Sequence, residues 1–301
     1  MAHVTFVHGI QNKPSAERLL QFWRAFLADP PGGIDLQGES IGSSMVYWAD
    51  VLYANPQTLA EGAEQPVQAP AVPSVDEAAF IAGLAAKVGG TLAARDLVGG
   101  TGPQPERIPL PWPVKKAFLD AFLRDVHHYL FDVDFSPRPG TRYRVRQEIR
   151  HRFVRDLAMH AGGDSPHIVV SHSMGTVIAY DCLKNVGECP TVDAFVTLGS
   201  PLGLDEVQDK VAPGYSRSDG FPSERVRGTW VNVFDRLDPV DGFDPVLADD
   251  FKRDDTSRII DVEVVNSGIW RHDIQEYLQR DELRAHIRRL LGLDARRGPE
   301  V

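Results

Sequence analysis

Residues Ser171-His172-Ser173-Met174-Gly175 set two hydroxyls and an imidazole side by side, directly after the apolar run His167-Ile168-Val169-Val170. A serine hydroxyl is a weak nucleophile. It attacks a carbonyl group only when a positioned base, usually a histidine held by a carboxylate, takes its proton. One way to present such a serine is a sharp strand-to-helix turn, where the backbones crowd and the residues two before and two after it must be small. Ser173 fits that requirement: Ser171 and Gly175 flank it, a strand pattern precedes it, and Gly175 to Asn185 reads as a helix. Ser173 is therefore the candidate nucleophile and Ser171 the small residue of the turn. His172 is adjacent to the nucleophile on a tight turn, so its ring cannot readily reach back, and a structural role is expected for it.

The base must come from elsewhere in the chain. With this kind of turn the acid follows the serine and the histidine follows the acid, each from a later strand end. Of the ten histidines, only His272 and His286 follow an acid placed after the next two strand patterns. His286 sits within the helical pattern DELRAHIRRLLGL, whereas His272 lies in the loop after RIIDVEVV, where a base is expected. For the acid, TWVNVFDRLDPV offers Asp235 and Asp238. Asp238 is preferred, because its loop can carry the carboxylate toward the histidine, with Asp235 as the alternative. Backbone N–H groups must also face the developing oxyanion. Met174, just after the serine, supplies one donor. Ile10, after the early strand Phe6-Val7-His8-Gly9, supplies the other, with Gln11 second; His8 reads as a buried structural residue.

Six short, β-branched runs recur along the chain: 4–7, 44–49, 167–171, 193–199, 229–234 and 258–265. Several are continuously apolar, as strands covered on both faces are. Helical stripes alternate with them. Leu19, Leu20, Trp23, Phe26 and Leu27 line one over 14–29, and Val145, Ile149, Phe153 and Leu157 another over 141–161. The expected class is α/β with a reduced, mostly parallel sheet of about six strands. No strand is expected between Asn55 and about Gly140. That region combines a Pro/Ala/Gln-rich stretch (55–73), an Ala/Gly-rich apolar segment (78–100) whose glycines weaken it as a helix, a proline-rich break (102–113) and a helical pattern (114–131). It reads as a helical lid or cap, over about 55–140, inserted into a single domain spanning 1–301, with the core over 3–54 and 141–292.

With these residues assembled, the chain resembles the α/β-hydrolase superfamily, and its lipase- and esterase-like serine hydrolases in particular. VHGI, SHSMG, TLGSP (197–201), FDRLDPV (234–240) and RHDIQEY (271–277) carry the likeness in the expected order. The resemblance implies cleavage of a carboxylic ester through an acyl-serine intermediate. Ser173 would act as nucleophile, His272 as base and then acid, and Asp238 as the orienting carboxylate, with no cofactor or metal. Two departures stand out: Ser171 replaces the first glycine of the elbow, and the strand carrying the oxyanion loop comes first. A peptidase, thioesterase or acyltransferase could use the same triad, and a catalytically silent scaffold acting as a binding module is the reading from another class.

The remaining features narrow the partners. A formal net charge of −10 with no basic block argues against nucleic acid, since phosphate neutralisation needs a basic face. Cys182 and Cys189 are expected to be reduced structural thiols. The strand pattern starting at residue 3 leaves no room for a signal peptide, and no apolar run is long enough to span a membrane, so a soluble cytoplasmic protein acting on a small-molecule or lipid ester is expected. His127 and His128 point to different helix faces and read as surface or lid residues rather than a shared metal site. The acids Asp235, Asp238, Asp241 and Asp244 lack an EF-hand pattern. Trp112 and its neighbouring prolines could line an apolar groove.

Overall fold

The structure is a computed structural model that describes residues 1–57, 74–97, 112–163, 165–211, 216–254, 256–267 and 270–294 of the 301. Six parallel strands form one sheet: β1 (His3–Val7), β2 (Gly42–Val46), β5 (His167–His172), β6 (Ala194–Leu198), β7 (Trp230–Phe234) and β8 (Ile259–Glu263), in the order β2-β1-β5-β6-β7-β8. All six expected strands are present. The second ends at Val46, because the Trp48 N–H turns aside to His8 Nε2 (3.0 Å). A two-stranded antiparallel ladder, β3 (Asp134–Phe135) and β4 (Tyr143–Arg144), falls partly within the region read as strand-free. Strands this short carry too little pattern to be seen in a sequence.

Side chains along the strands alternate between two apolar layers. Val7, Val169, Phe195 and Trp230 face α5 (Val145–Ala158) and α6 (Met174–Asn185). Phe6, Ile168, Val170, Val196 and Val233 face α1 (Ala16–Ala28), α8 (Ile274–Leu278) and α9 (Asp281–Leu290). This double coverage explains the continuous apolar runs. Val145, Ile149, Phe153 and Leu157 are all buried, as their spacing requires. On α1 only Leu19, Trp23 and Leu27 are buried, with Leu20 and Phe26 packed at the margin.

A one-turn helix, α2 (Ala49–Leu52), follows β2. The inserted region supplies α3 (Val75–Leu97) and α4 (Trp112–Leu130), which pack on each other and on α7 (Asp205–Val211), with α4 also against α5. The Ala/Gly-rich segment is helical despite its glycines: its alanines favour a helix, and burying Phe80, Leu84 and Val88 outweighs a glycine cost of about 1 kcal/mol each. His127 and His128, read as surface or lid residues, lie in α4 of the inserted region and are buried rather than exposed. His127 Nε2 lies 3.2 Å from Glu77 of α3, and His128 Nδ1–H donates to the Arg124 carbonyl (2.7 Å). Residues 58–73 and 98–111 lie outside the described residues, as does the Trp112 side chain, and with them the proline-rich break and the apolar groove. Among the described residues no helix is long and apolar enough to cross a membrane. Cys182 and Cys189 are buried and unbridged.

The amino end of the sheet gathers histidines. His3 stacks on His160 (ring centroids 3.7 Å apart), its Nε2 lies 2.9 Å from Ser44 Oγ, and His167 Nε2 lies 2.8 Å from Thr5 Oγ1. Burial first, and then the neighbouring imidazoles, lower the pKa of His3 to about 3 and that of His167 to about 4. The fold therefore keeps both rings neutral while the unfolded chain takes up protons below about pH 6.5. Stability is expected to be complete above that pH and to fall progressively on acidification toward pH 4 and 3, by about 1 kcal/mol for each ring at about pH 5.5. Urea denaturation midpoints measured across this range test this, and a flat profile in both wild type and His167→Gln would contradict it.

Candidate active site

The sheet order reverses at β1. The chain runs from β1 outward to β2, then returns to the other side of β1 as β5, so the carboxyl ends of β1 and β5 open a crevice, the usual ligand position in open α/β sheets. Ser173 stands at that point, between β5 and α6, with φ 54° and ψ −130°. Positive φ is uncommon for a residue with a side chain and persists only where the surroundings impose it. Here the Ser173 N–H donates to the Leu198 carbonyl (3.0 Å), and its own carbonyl accepts from the Thr176 N–H (2.9 Å) and Oγ1 (2.7 Å). Gly175 is required for the turn: a Cβ there would stand 2.5 Å from both the Val7 and His8 carbonyl oxygens. Ser171 is buried, and its hydroxyl donates to the Val196 carbonyl (3.0 Å).

Ser173, His272 and Asp238 are brought together. Ser173 Oγ lies 2.8 Å from His272 Nε2, and His272 Nδ1 lies 2.7 Å from Asp238 Oδ2. The consistent proton placement has Nδ1–H donating to the carboxylate and Nε2 accepting from the hydroxyl. All three are buried. Burial alone would raise the Asp238 pKa, but the nearby His272 and hydrogen bonds from His272, Tyr277 and Val240 outweigh it, leaving the carboxyl below its ordinary range. Asp235 sits apart. Its Oδ2 accepts from Arg271 (2.7 Å) and from the Asn266 N–H (2.9 Å), which pins the loop that carries His272.

Several neighbours complete the site. His172 Nε2–H donates to the backbone carbonyl of His272 (3.0 Å), with the two rings 4.7 Å apart, so this histidine helps hold the loop of the other. Burial, then the adjoining His272, keep its pKa well below the ordinary value. Gly199 has φ 54°, and a Cβ there would come within 3.1 Å of both the His272 ring and Asp238 Oδ2. Phe118 of α4 meets the His272 ring at 5.8 Å and Trp270 at 4.6 Å, so the inserted region reaches the His272 side chain.

The early loop divides the two candidate donors after β1. Gln11 N–H is committed to Asp125 Oδ2 (2.9 Å), which removes the second choice. Among the described residues neither the Ile10 nor the Met174 N–H donates to a protein acceptor. His8 is buried as expected. Its Nδ1–H donates to the Gly9 carbonyl (2.8 Å) while Nε2 accepts from Trp48, so one tautomer is fixed; in a trans peptide this aims the Ile10 N–H away from His8. The His8 pKa is lowered to about 3, chiefly by burial. The four acids of the 235–244 loop have separate surroundings: Asp235 pairs with Arg271, Asp238 and Asp241 face Tyr277, and Asp244 is raised in pKa by burial and other carboxylates.

His172 was expected to be structural, but its link to His272 is invisible in sequence, because it depends on two segments meeting in space. Asp241 enters the sequence reading only as one of four acids without an ion-binding pattern, and Tyr277 only as the last residue of RHDIQEY; neither carries a role there. Neither a protein-family profile nor a curated protein sequence matches the chain. Among solved structures, an uncharacterised protein from Pseudomonas aeruginosa is similar over 88% of this chain and 40% of its own, at 8% identity and a TM-score of 0.32.

Proposed function

We propose that the protein is a lipase- or esterase-like serine hydrolase of the α/β-hydrolase type, cleaving a carboxylic ester. One observation carries this reading: the unbroken Ser173–His272–Asp238 hydrogen-bond chain at a strained strand-to-helix turn. His272 Nε2 takes the hydroxyl proton as Ser173 Oγ attacks the ester carbonyl carbon. Asp238 stabilises the resulting imidazolium. The carbonyl oxygen, now negative, is received by the N–H groups of Ile10 and Met174, each donor lowering the barrier by about 3 kcal/mol. Collapse breaks the bond to the alkoxy group, which leaves with the proton from His272. Water then attacks the acyl-serine by the same route and releases the acid. The covering helices α3 and α4 act as the cap, and Phe118 and Trp270 favour an apolar acyl group beside the base.

A series of p-nitrophenyl esters of increasing acyl length tests this. Turnover is expected to rise with chain length and to vanish in Ser173→Ala. A folded wild-type protein that hydrolyses no member of the series would overturn the reading in favour of a silent scaffold.

A further inference from the structure

The site sets one phenol between two buried carboxylates. Asp238 is saturated: Oδ1 accepts from the Val240 N–H (2.7 Å), and Oδ2 accepts from both His272 Nδ1 and the Tyr277 hydroxyl (2.7 Å each). Tyr277 Oη also lies 3.1 Å from Asp241 Oδ2. A phenol has a single proton, so it cannot donate to two carboxylates at once. Asp238, Asp241 and Tyr277 are all buried, so a second charge there would be withdrawn from bulk solvent. Arg271 is directed at Asp235, and Asp241 Oδ1 has no hydrogen-bond partner among the described residues. An ionised Asp241 would be a buried, unpaired charge beside a second carboxylate.

We propose that Asp241 is held as a neutral carboxylic acid that donates to Tyr277 Oη, freeing the tyrosine proton for Asp238, and that both act as positioning residues for the acid. This rests on the reading of Ser173, His272 and Asp238 as the catalytic set. Burial first and then the Asp238 charge push the Asp241 pKa well up, and burial likewise raises that of Tyr277, both in the direction that retains the proton. The groups facing Asp241 are Asp238 and Asp235 on its own loop and Tyr277 on α8. The arrangement confines the negative charge to the residue that faces His272. It also fixes the Asp238 rotamer, so that Oδ2 meets Nδ1 before any imidazolium forms.

Infrared difference spectroscopy with carboxyl-labelled aspartate tests the proton directly. At neutral pH the wild-type protein is expected to show a band from an un-ionised carboxyl group that disappears in Asp241→Asn. The lack of such a band overturns the proposal whether or not the protein turns over any ester. Kinetics test the positioning role. Tyr277→Phe is expected to lower kcat about 10- to 100-fold with KM little changed, as loss of a hydrogen bond to a charged group implies. Asp241→Asn keeps a neutral donor, so the acidic limb of its kcat/KM profile is expected to stay in place. A limb displaced to lower pH in that variant would show that a negative charge near His272 had been removed, and would overturn the neutral assignment. Failure of wild type to react at Ser173 would instead sink the hydrolase reading, leaving the infrared result to decide the proton.

Discussion

Asp238→Asn is expected to slow ester hydrolysis by about 10,000-fold, the loss that follows when a triad histidine is held in the wrong tautomer. An amide nitrogen in the place of Asp238 Oδ2 would donate to His272 Nδ1. The ring proton would then sit on Nε2, 2.8 Å from Ser173 Oγ, leaving no basic nitrogen for the nucleophile. The side chain would keep its size, and Val240 N–H would keep its acceptor, so the melting temperature should change little by comparison. Asp235→Asn is the matched control. It weakens the ion pair with Arg271 and loosens the loop bearing His272 without touching the ring, so a loss of about 10- to 100-fold is expected, matching the roughly 1.5–3 kcal/mol of a charged hydrogen bond. Steady-state kinetics on the two variants decide the matter: the reverse order would exchange the roles of the two acids.

The second large effect concerns the turn rather than the chemistry. Gly175→Ala places a methyl group 2.5 Å from two backbone carbonyl oxygens at the end of β1, and neither can retreat without pulling that strand from β5. Overpacking costs about 1–3 kcal/mol in ordinary cores, where side chains can give way. Here only backbone is available, so a loss of about 3 kcal/mol or more is expected in urea denaturation. The same displacement moves the loop carrying Ile10 relative to Ser173. Misplacement by about 1 Å can cost 100-fold in rate, and activity should fall accordingly even in the folded fraction. Wild-type stability together with wild-type turnover would show that the close approach of the two backbones is not a requirement of the site.

These two cases also mark what the sequence makes legible. The six strands announced themselves because both faces of the sheet are covered, which turns strands such as Ile168-Val169-Val170 into unbroken apolar runs. Ser173, Asp238 and His272 could be singled out because strand ends fix their order along the chain, and because only small residues at 171 and 175 allow the turn. The preference for Asp238 over Asp235 followed from loop reach, and the structure places Asp238 against His272 and Asp235 against Arg271. What escaped were contacts between segments distant in sequence. His172 meets the His272 carbonyl, Asp125 of α4 captures the Gln11 N–H, and Tyr277 reaches two carboxylates one helical turn after the base. No periodicity encodes such pairings, since each is set by how α4 and α8 settle on the sheet. The helix over Val75–Leu97 lies in the region read as a helical cap, but what holds it there is equally hidden: glycine cost is local, while the burial that offsets it is tertiary.

If Ser173 is the activated nucleophile we propose, a fluorophosphonate probe must find it, since the probe requires a serine whose proton is being taken by a base. Incubation followed by peptide mapping is expected to find the adduct on Ser173 in wild type, with none in Ser173→Ala and strongly slowed labelling in Asp238→Asn. A folded wild-type protein that takes up no probe, or an alanine variant that labels equally well, would contradict the account.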